Sequence, residues 1–374
     1  MKVTFLGAAQ TVTGSKYLIE TNNGQNKKIL VDCGLFQGTK SLRLRNWDFP
    51  PLKDASLISF VLLTHAHIDH SGYIPLLVKN GFRGKIYCTK GTYQLCKILL
   101  PDSGYLQEED AYFANKKKFS KHHPALPLYT QEDAINSLKY FEAVDFENLK
   151  TLPGTPNLSF SFSPAGHIMG SSIITLHLEG KKIVFSGDLG RQADPIMHPP
   201  RQIDEADYLI VESTYGNRLH DSTPPSEILA SIINKTIDRH GQIIIPAFAV
   251  GRAQIVLFLI YQLMKNKKIP KIPIYLDSPM AVEAGQLYLK PHEDISLSIE
   301  DCEEMYSHIR FVSSVEESKK IDELKEPMIL VSASGMITGG RILHHIKNLA
   351  PKSQNTILLI GYQVESTRGY DLKN

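Results

Sequence analysis

The sequence lacks the features that mark membrane, secreted or disordered proteins. No apolar run approaches the roughly 20 residues that a helix needs to cross a bilayer. Cysteine is scarce: the four residues, at positions 33, 88, 96 and 302, form no CxxC pair, which favours free thiols in a reducing cytoplasm. An excess of charge of one sign is also absent, because the net charge is +2 at pH 7. This balance neither requires nor excludes a nucleic acid as partner, since a local basic groove can bind a polyanion.

What is present is the composition of a globular protein with more than one domain. Hydrophobic residues make up 42% and charged residues 21% of the 374 residues, which is ordinary for folded proteins. A chain of this length usually divides its core between two domains. Short apolar runs alternate with helical patterns, which predicts an α/β layered fold. In the helical pattern GTYQLCKILLPDSGYLQEED, Pro101 predicts a break between two helices.

The densest group of candidate metal ligands lies in the stretch LLTHAHIDHSG, residues 62–72. Its four members fall within six residues, directly after an apolar run typical of a buried strand: His65, His67, Asp69 and His70. His65 and His67 are two residues apart, so an extended chain would project them to the same side. A lone histidine is usually a satisfied core or surface residue, but imidazoles and carboxylates packed this closely each require a partner when buried. The stretch therefore predicts a metal site.

Three more residues at predicted strand ends could complete this site. His167 follows a strand in GHIMGS, and Asp188 ends the strand KKIVFSGD. With these two the candidate ligands number six, which suits two metal ions better than one, with Asp188 able to bridge them. Asp32 ends the strand KKILVD, where its carboxylate could orient a metal-bound histidine. An ordinary turn aspartate is an equally good interpretation of Asp32.

The second half of the chain repeats a strand, a Gly-rich turn and a helix. This pattern predicts a second α/β unit with parallel strands, and ligands of such sheets lie at the carboxyl edge. Three turns, at residues 249–252, 277–281 and 332–341, could offer backbone N–H groups and helix N-termini to phosphates. Turns of this kind also occur for packing alone. The candidate substrate-binding residues in them are Gly251, Arg252, Ser278, Ser332, Ser334 and Gly335.

A basic run interrupts the first half of the chain. The segment ANKKKFSKHHPALPLYT carries four Lys and two His between Lys116 and His123. A solvated loop is the simpler interpretation of such a run. The alternative is a rim that attracts phosphates.

These motifs resemble those of the metallo-β-lactamase superfamily, specifically its β-CASP branch of nucleic-acid-processing enzymes. The resemblance runs along nearly the whole chain. The signature THxHxDH stands at residues 64–70, the later His at His167 in AGHIMGS, the bridging Asp at Asp188 in FSGDLGR and the first strand-end Asp at Asp32. ESTYGNR at residues 212–218 is similar to the start of the β-CASP insert and places its acidic residue at Glu212. Further parts of the insert are similar to PAFAVGRAQ, LDSPMA, SASGMITGGR and GYQVES.

The resemblance implies a fold and a division into domains. We expect an α/β protein in which a metallo-β-lactamase αββα sandwich, residues 1–208, carries an inserted α/β β-CASP domain, residues 209–374. In the family, the chain then returns to the first domain and adds a metal-ligating His in an FSxH-type motif, whereas this sequence stops at Asn374. We therefore expect a truncated or frameshifted end, with the return segment missing. The second metal position would lack one ligand, and apolar surface would be exposed on the first domain.

The resemblance also implies a zinc-dependent ribonuclease that hydrolyses phosphodiester bonds in RNA processing or decay, with single-stranded RNA as the expected partner. One zinc ion would be held by His65, His67 and His167, and a second by Asp69 and His70, with Asp188 between them. A metal-bound water would attack phosphorus in line. Asp69 and Glu212 would be the catalytic residues, and Glu212 would assist proton transfer to the leaving oxygen.

Two other functions are compatible with the same residues. A small-molecule hydrolase could use this metal centre on thioesters or lactams, although a whole inserted α/β unit is more than such a substrate requires. An inactive or binding-only form would follow from the missing terminal His. The sequence leaves open RNA or DNA as substrate, internal or terminal cleavage, and the oligomeric state, which allows a homodimer. It predicts no membrane partner and a cytoplasmic location.

Overall fold

The short apolar runs at the start of the chain form a mixed sheet of six strands. The computed structural model describes residues 1–22, 27–47, 52, 54–118, 120–219 and 221–374. In the first sheet the strands follow one another in chain order: β1 (Lys2–Phe5), β2 (Tyr17–Glu20), β3 (Lys28–Val31), β4 (Phe60–Leu62), β5 (Lys85–Cys88) and β6 (Phe141–Ala143). Strands β1 to β3 pair antiparallel, and β3 to β6 pair parallel.

Parallel neighbours need crossover connections, and here these connections contain helices. They are α1 (Lys40–Leu44), α2 (Ile68–Ser71), α3 (Ile74–Lys79), α4 (Lys90–Lys117) and α5 (Gln131–Ser137), with 3₁₀ turns at Ala55–Leu57 and Leu138–Tyr140. Leu30, Val61 and Ile86 alternate with residues of the opposite face and are fully buried. Both faces of the sheet are therefore covered, as parallel strands require.

A second sheet packs against the first. Its order is β11-β10-β9-β8-β7, built from β7 (Lys150–Thr151), β8 (Leu158–Pro164), β9 (Ser172–Leu178), β10 (Lys181–Phe185) and β11 (Tyr208–Ile210). Strands β7 to β10 pair antiparallel, and β11 pairs parallel with β10. One cluster of buried side chains joins the two sheets, including Ile29 and Leu62 from the first and Phe160, Leu176 and Phe185 from the second.

The edge strand β11 exposes apolar side chains. Tyr208 and Leu209 of the strand, and Val211 just after it, are each more than half exposed. An edge strand with such residues offers unpaired backbone groups as well as apolar contacts.

The prediction of a helix pair interrupted at Pro101 is wrong. α4 is one helix of 28 residues with Pro101 inside it. Leu99 and Leu100 before the proline and Gly104 after it are buried. Gly104 lies so close to the backbone of Thr130 that a Cβ would be 2.7 Å from it. Tertiary packing on both sides of the proline therefore maintains the helix despite the lost hydrogen bond.

The second half of the chain forms the parallel sheet that the repeated pattern predicts. Its order is β14-β13-β15-β12-β16, and every pair is parallel. The strands are β12 (Ile243–Pro246), β13 (Ile274–Asp277), β14 (Ile309–Phe311), β15 (Ile329–Ser332) and β16 (Thr356–Ile357). The helices are α6 (Pro225–Asp238), α7 (Arg252–Lys265), α8 (Pro279–Tyr288), α9 (Ile299–Ser307), α10 (Val315–Ile321), α11 (Ile342–Leu349) and α12 (Arg368–Lys373).

The described residues group into two compact units. The first contains Met1–Asp194 and His198–Gly216, and the second contains Pro195–Met197 and Asn217–Asn374. The second unit has its own buried cluster, with Ile244 and Leu330 from the sheet and Ile342 and Leu349 from α11. Within the described ranges, no helix has both the length and the hydropathy needed to cross a membrane.

Candidate metal centre

Loops that follow five strands of the first unit carry the predicted site residues. Each loop leaves the carboxyl end of its strand: Asp32 after β3, residues 64–70 after β4, His167 after β8, Asp188 after β10 and Glu212 after β11. Strand ends of the two packed sheets thus bring together residues far apart in sequence.

The loop after β3 fixes the backbone of Asp69 and His70. Ser15 N–H donates to the Asp69 carbonyl (2.8 Å), and Cys33 N–H donates to the His70 carbonyl (2.7 Å). Gly34 lies inside this contact, where a Cβ would stand 1.6 Å from the Asp69 carbonyl oxygen. Glycine is therefore needed at position 34 so that the two backbones can approach.

The loop that carries His167 is anchored to the start of α4. The hydroxyls of Thr89 and Thr92 both donate to the Gly170 carbonyl, at 2.6 and 2.8 Å. Gly170 has φ +78°, and a Cβ there would lie 2.1 Å from the Thr92 nitrogen. Ser171 Oγ accepts the His167 N–H at 2.9 Å. These bonds hold the His167 backbone against a long, well-packed helix.

Four side chains converge on one point. His65, His67, His167 and Asp188 each offer one ligand atom, and these atoms all lie within 4.8 Å of one another. His65 Nε2 and His167 Nε2 are each 3.2 Å from His67 Nδ1. Asp188 Oδ2 is 3.9 Å from His65 Nε2 and 3.6 Å from His167 Nε2.

These spacings match those of a metal site. Zinc–nitrogen bonds of about 2.0–2.1 Å in a tetrahedron place neighbouring ligand atoms about 3.3 Å apart. Three imidazoles and a carboxylate are also a donor set that zinc and related divalent ions accept. The residues present therefore fit a bound metal ion.

Asp188 also faces a second group. Its Oδ1 lies 3.2 Å from His70 Nε2, while its Oδ2 faces the cluster of three histidines. The carboxylate thus stands between His70 and that cluster. Asp69 is next to His70 and partly buried.

Asp32 orients His70 from behind. Asp32 is 1% exposed, and its Oδ2 accepts the His70 Nδ1–H at 2.7 Å. The same carboxylate accepts hydrogen bonds from the Thr64 N–H (2.8 Å), the Thr64 hydroxyl (2.9 Å) and the Ser15 hydroxyl (3.1 Å). Because Nδ1 donates to Asp32, Nε2 of His70 is the nitrogen directed at Asp188.

Protonation at the centre follows from burial and neighbouring charge. Burial, together with the charge of His70, holds the pKa of His65 well below its usual value, so His65 is a neutral imidazole with a lone pair to offer. Burial opposes charge on His70 as well, but Asp188 and Asp32 outweigh it and raise the pKa of His70 well above its usual value. Burial raises the pKa of Asp69 to about 6, with His70 opposing and Asp188 adding to the rise. Burial would raise the pKa of Asp188, yet His70 and the other histidines hold it well below its usual value.

Two known protein-family models match the chain. The model of the metallo-beta-lactamase superfamily matches residues 11–222, more than half of the chain. The chain belongs to the metallo-beta-lactamase superfamily. A Beta-Casp domain model matches residues 253–372, so the resemblance seen in the sequence motifs and the fold class that it implied are confirmed. The superfamily binds metal ions, and the His/Asp cluster described above lies within the matched residues.

Several curated relatives align with nearly the whole chain. Ribonuclease TTHA0252 of Thermus thermophilus is 32% identical over 388 residues, which cover 100% of this chain and 81% of the relative. An RNase J-like protein of Methanocaldococcus jannaschii is 33% identical, with 99% and 79% covered. Transcription termination factor FttA of the same organism is 31% identical, and the chain spans 57% of its length. A crystal structure of a protein of unknown function from Enterococcus faecalis V583 shares the fold, with a TM-score of 0.50 at 13% identity over 96% of this chain and 88% of that one.

In this member of the superfamily, Glu212 contacts the loop that carries Asp188. Its Oε1 accepts the N–H of Leu189 at 3.3 Å, and its Oε2 accepts the N–H of Thr214 at 3.0 Å. Its own N–H donates to the Ser186 hydroxyl at 3.0 Å. Leu189 directly follows Asp188, so these bonds tie the end of β11 to the position of Asp188.

The candidate substrate-binding residues lie at the carboxyl edge of the parallel sheet. Gly251, with φ +83°, precedes Arg252 at the start of α7. Ser278 caps α8 by accepting the Ala281 N–H at 3.2 Å. Ser332 is buried and donates its hydroxyl to the Asp277 carbonyl at 2.8 Å.

The remaining two candidates belong to the turn after β15. Ser334 Oγ accepts the Thr338 N–H at 3.0 Å, and the Gly335 carbonyl accepts from Gln363 Nε2 at 3.1 Å. The hydroxyls of Ser278 and Ser334 thus take part in bonds within their own turns, and that of Ser332 joins the ends of β15 and β13.

The sequence interpretation missed the partners that support the site. Thr64 and Ser15 hydrogen-bond to Asp32, and Gly34 permits the close contact with Asp69. Thr64 carries a local signal, since it opens the THxHxDH motif. Ser15 and Gly34 carry none, because their roles depend on contacts with residues more than 15 positions away.

Proposed function

We propose that this chain is a zinc-dependent ribonuclease that hydrolyses phosphodiester bonds of single-stranded RNA. The observation that carries the proposal is the convergence of His65, His67, His167 and Asp188 within 4.8 Å, with His70 on the other oxygen of Asp188. The names of two relatives, a ribonuclease and an RNase J-like protein, support RNA as the substrate. The four cysteines are all buried free thiols, which suits a reducing cytoplasm.

The histidines and Asp188 would hold two zinc ions. His65, His67 and His167 form one position, and His70 with Asp69 forms the other, with Asp188 shared. The chemistry that zinc supplies in such sites is Lewis-acid activation of water and of the phosphate. Asp32 keeps the His70 ring in the tautomer and orientation that present Nε2 to the site.

Asp69 and Glu212 are the proposed catalytic residues. Asp69 would act as a carboxylate ligand beside His70 at the second zinc position. Glu212 holds the Leu189 N–H and thereby the Asp188 loop. We assign it transfer of a proton to the leaving oxygen together with this positioning role.

The second unit would bind the phosphate backbone. The turns that carry Gly251, Arg252, Ser334 and Gly335 lie at the carboxyl ends of parallel strands, where α/β sheets bind ligands. Ser278 and Ser332 would act there by holding this edge in shape, since the Ser278 hydroxyl caps α8 and the Ser332 hydroxyl joins the ends of β15 and β13. Contacts to phosphates position a strand without choosing its sequence.

Cleavage of end-labelled RNA by the metal-loaded protein tests the proposal. The wild type should release labelled fragments, and the Asp69→Ala, His70→Ala double variant should not. His177→Ala is the matched control, because His177 lies on β9 with an exposed side chain and should cut like the wild type. Equal cleavage by the double variant would remove the assigned site, and cleavage of DNA but not RNA would remove the substrate assignment.

The metal content provides an independent readout. Native mass spectrometry of the wild type should show two zinc ions per chain. The double variant should lose one of them, because its remaining ligands form the first position only. A wild type that binds no zinc would contradict the proposal whatever its activity.

A further inference from the structure

The end of α4 and the loop after it carry aromatic and basic side chains that the metal centre does not use. We call this group the α4 basic patch: Tyr112, Phe113, Lys116, Lys117, Lys118, Lys121, His122 and His123. From Tyr112 to His123 the sequence contains no acidic residue. The patch belongs to the first unit.

Two aromatic rings of the patch face solvent. Tyr112 is 55% exposed and Phe113 is 48% exposed. Their ring centroids are 5.7 Å apart at an angle of 71°, so the two rings present faces in different directions. The ammonium of Lys116 lies 5.5 Å from the Tyr112 ring centroid. A positive charge is thus held beside an open aromatic face.

The loop that bears the other basic residues is closed at its base. Asn115 Nδ2 donates to the Ala125 carbonyl at 2.9 Å, and Asn115 Oδ1 accepts the Ala125 N–H at 2.7 Å. This pair of bonds connects the last turn of α4 to the far end of the loop. Lys121, His122 and His123 are therefore kept near the end of α4.

Helix electrostatics explains only part of this arrangement. Lys116 and Lys117 stand in the last turn of α4, where cations offset the partial negative charge of the helix C-terminus. That effect fades within one turn and gives no reason for Lys121 or for two exposed rings. Exposed aromatic rings beside clustered lysines are instead the combination that binds single-stranded nucleic acids.

We propose that the α4 basic patch is a second RNA-binding surface, separate from the metal centre, for single-stranded segments of the substrate. Lysine ammonium groups pair with phosphates, and bases stack on Tyr112 and Phe113. The inference rests on the proposed ribonuclease function, since it adds a binding surface for the same substrate. Acidic residues limit the patch on its N-terminal side, where Glu108 is already bound to the Gln131 N–H at 2.8 Å.

Binding of a fluorescent oligouridine of about 20 nucleotides, a length that spans more than one typical binding site, tests the rings. Fluorescence anisotropy is measured in the Asp69→Ala, His70→Ala background, so that the RNA stays intact. The additional change Tyr112→Ala, Phe113→Ala should raise Kd roughly tenfold because stacking of bases on the rings is removed. Tyr112→Phe keeps the ring and should leave Kd unchanged.

The salt dependence of Kd tests the charges. Lys117→Gln with Lys121→Gln should lower the slope of log Kd against log salt by about 0.7 for each phosphate that the protein no longer neutralises. Lys319→Gln with Lys320→Gln removes the same charge from exposed positions on α10 and should leave the slope unchanged. Circular dichroism melting of each variant confirms that the fold is retained.

Three results would overturn the inference. The first is an unchanged Kd for the Tyr112→Ala, Phe113→Ala variant. The second is the same slope of log Kd against log salt for the Lys117, Lys121 variant and the Lys319, Lys320 variant. The third is a change in the sedimentation coefficient of the ring variant while its Kd stays the same. The last would identify the patch as an interface between two copies of the chain. Because anisotropy needs no cleavage, failure of the proposed nuclease activity appears separately, as intact RNA with the metal-loaded wild type.

Discussion

Among single residues, Asp32 shows how a side chain outside the proposed ligand set can set the orientation of a candidate ligand. It is buried at the end of β3 in a left-handed conformation, with φ +56°. Its carboxylate accepts bonds from His70, Thr64 and Ser15 at once. The orientation of His70 therefore depends on a residue 38 positions earlier in the chain.

Asp32→Asn should weaken metal binding and leave the fold intact. Asparagine tolerates the left-handed conformation and keeps the shape of the side chain. In either orientation its amide NH2 group would meet a donor, the Nδ1–H of His70 or the N–H of Thr64, so the hold on the His70 ring would weaken. Loss of such a partner typically lowers metal affinity about 10- to 100-fold. Zinc competition against a chromogenic chelator measures this, with Asp207→Asn on the exposed surface as the control.

Glu212→Gln separates positioning from proton transfer. The two oxygens of Glu212 accept the N–H groups of Leu189 and Thr214. Glutamine has one acceptor oxygen, so one of these hydrogen bonds cannot form and the Asp188 loop shifts. We expect weaker zinc binding by the competition assay, whereas Glu205→Gln should behave like the wild type. If zinc affinity holds and only the acidic or basic limb of the activity profile changes, proton transfer is the sole role of Glu212.

Among the elements, β13, α10 and α11 are joined by a buried charge network. His345 is fully buried, and its Nε2 lies 2.7 Å from Asp277 Oδ2, while its Nδ1 lies 2.6 Å from Asp322 Oδ1. Arg341 Nη1 donates to Asp277 Oδ1 at 2.6 Å, and the Ser318 hydroxyl donates to Asp277 Oδ2. Burial opposes charge on His345, but the bonds to Asp277 and Asp322 raise its pKa to about 9.

The stability of the second unit should therefore fall as pH rises. The pKa of His345 is about 9 in the folded state and about 6.5 in the unfolded state. Its protonation therefore adds about 3 kcal/mol to the free energy of unfolding below pH 6.5, and this contribution is lost as the pH rises through 9. Chemical denaturation between pH 6 and pH 9.5 should show this loss for the wild type. His345→Gln should flatten it, and His344→Gln, at an exposed position, should retain it. Parallel pH curves for all three proteins would contradict the assignment.

For the whole molecule, the proposed metal ligands all belong to one unit. His65, His67, Asp69, His70, His167 and Asp188 lie in the first unit, and the described parallel sheet β12–β16 lies in the second. A metal ion that binds only the folded form of a unit stabilises that unit against unfolding. Metal removal should therefore affect the two units unequally.

Hydrogen exchange with and without a zinc chelator checks this expectation. Peptides that contain residues 62–72 and 164–190 should exchange faster after chelation. A metal present at 100 times its Kd stabilises the folded state by about 2.7 kcal/mol, and chelation removes this stabilisation. Peptides from β12 and β15 should keep their rates. A His65→Ala, His67→Ala variant should exchange fast in the first unit with or without chelator. Equal acceleration in both units would show that metal binding stabilises the chain as one body.

The sequence by itself determined the features that local pattern encodes. The candidate ligands His65, His67, Asp69 and His70 fall within six residues, so their density was visible without a structure. The alternation of strand and helix in residues 243–349 indicated the parallel sheet, because side-chain period and turn residues are local properties. The motif resemblance indicated the family, which the comparisons confirmed.

Tertiary structure alone decided which atoms meet. His67 and His167 are 100 residues apart, and His345 and Asp277 are 68 apart, yet each pair is in contact. The same long-range packing keeps α4 continuous through Pro101 and makes glycine necessary at position 34. A single sequence carries no local record of such contacts, because their energy arises only once distant segments pack together.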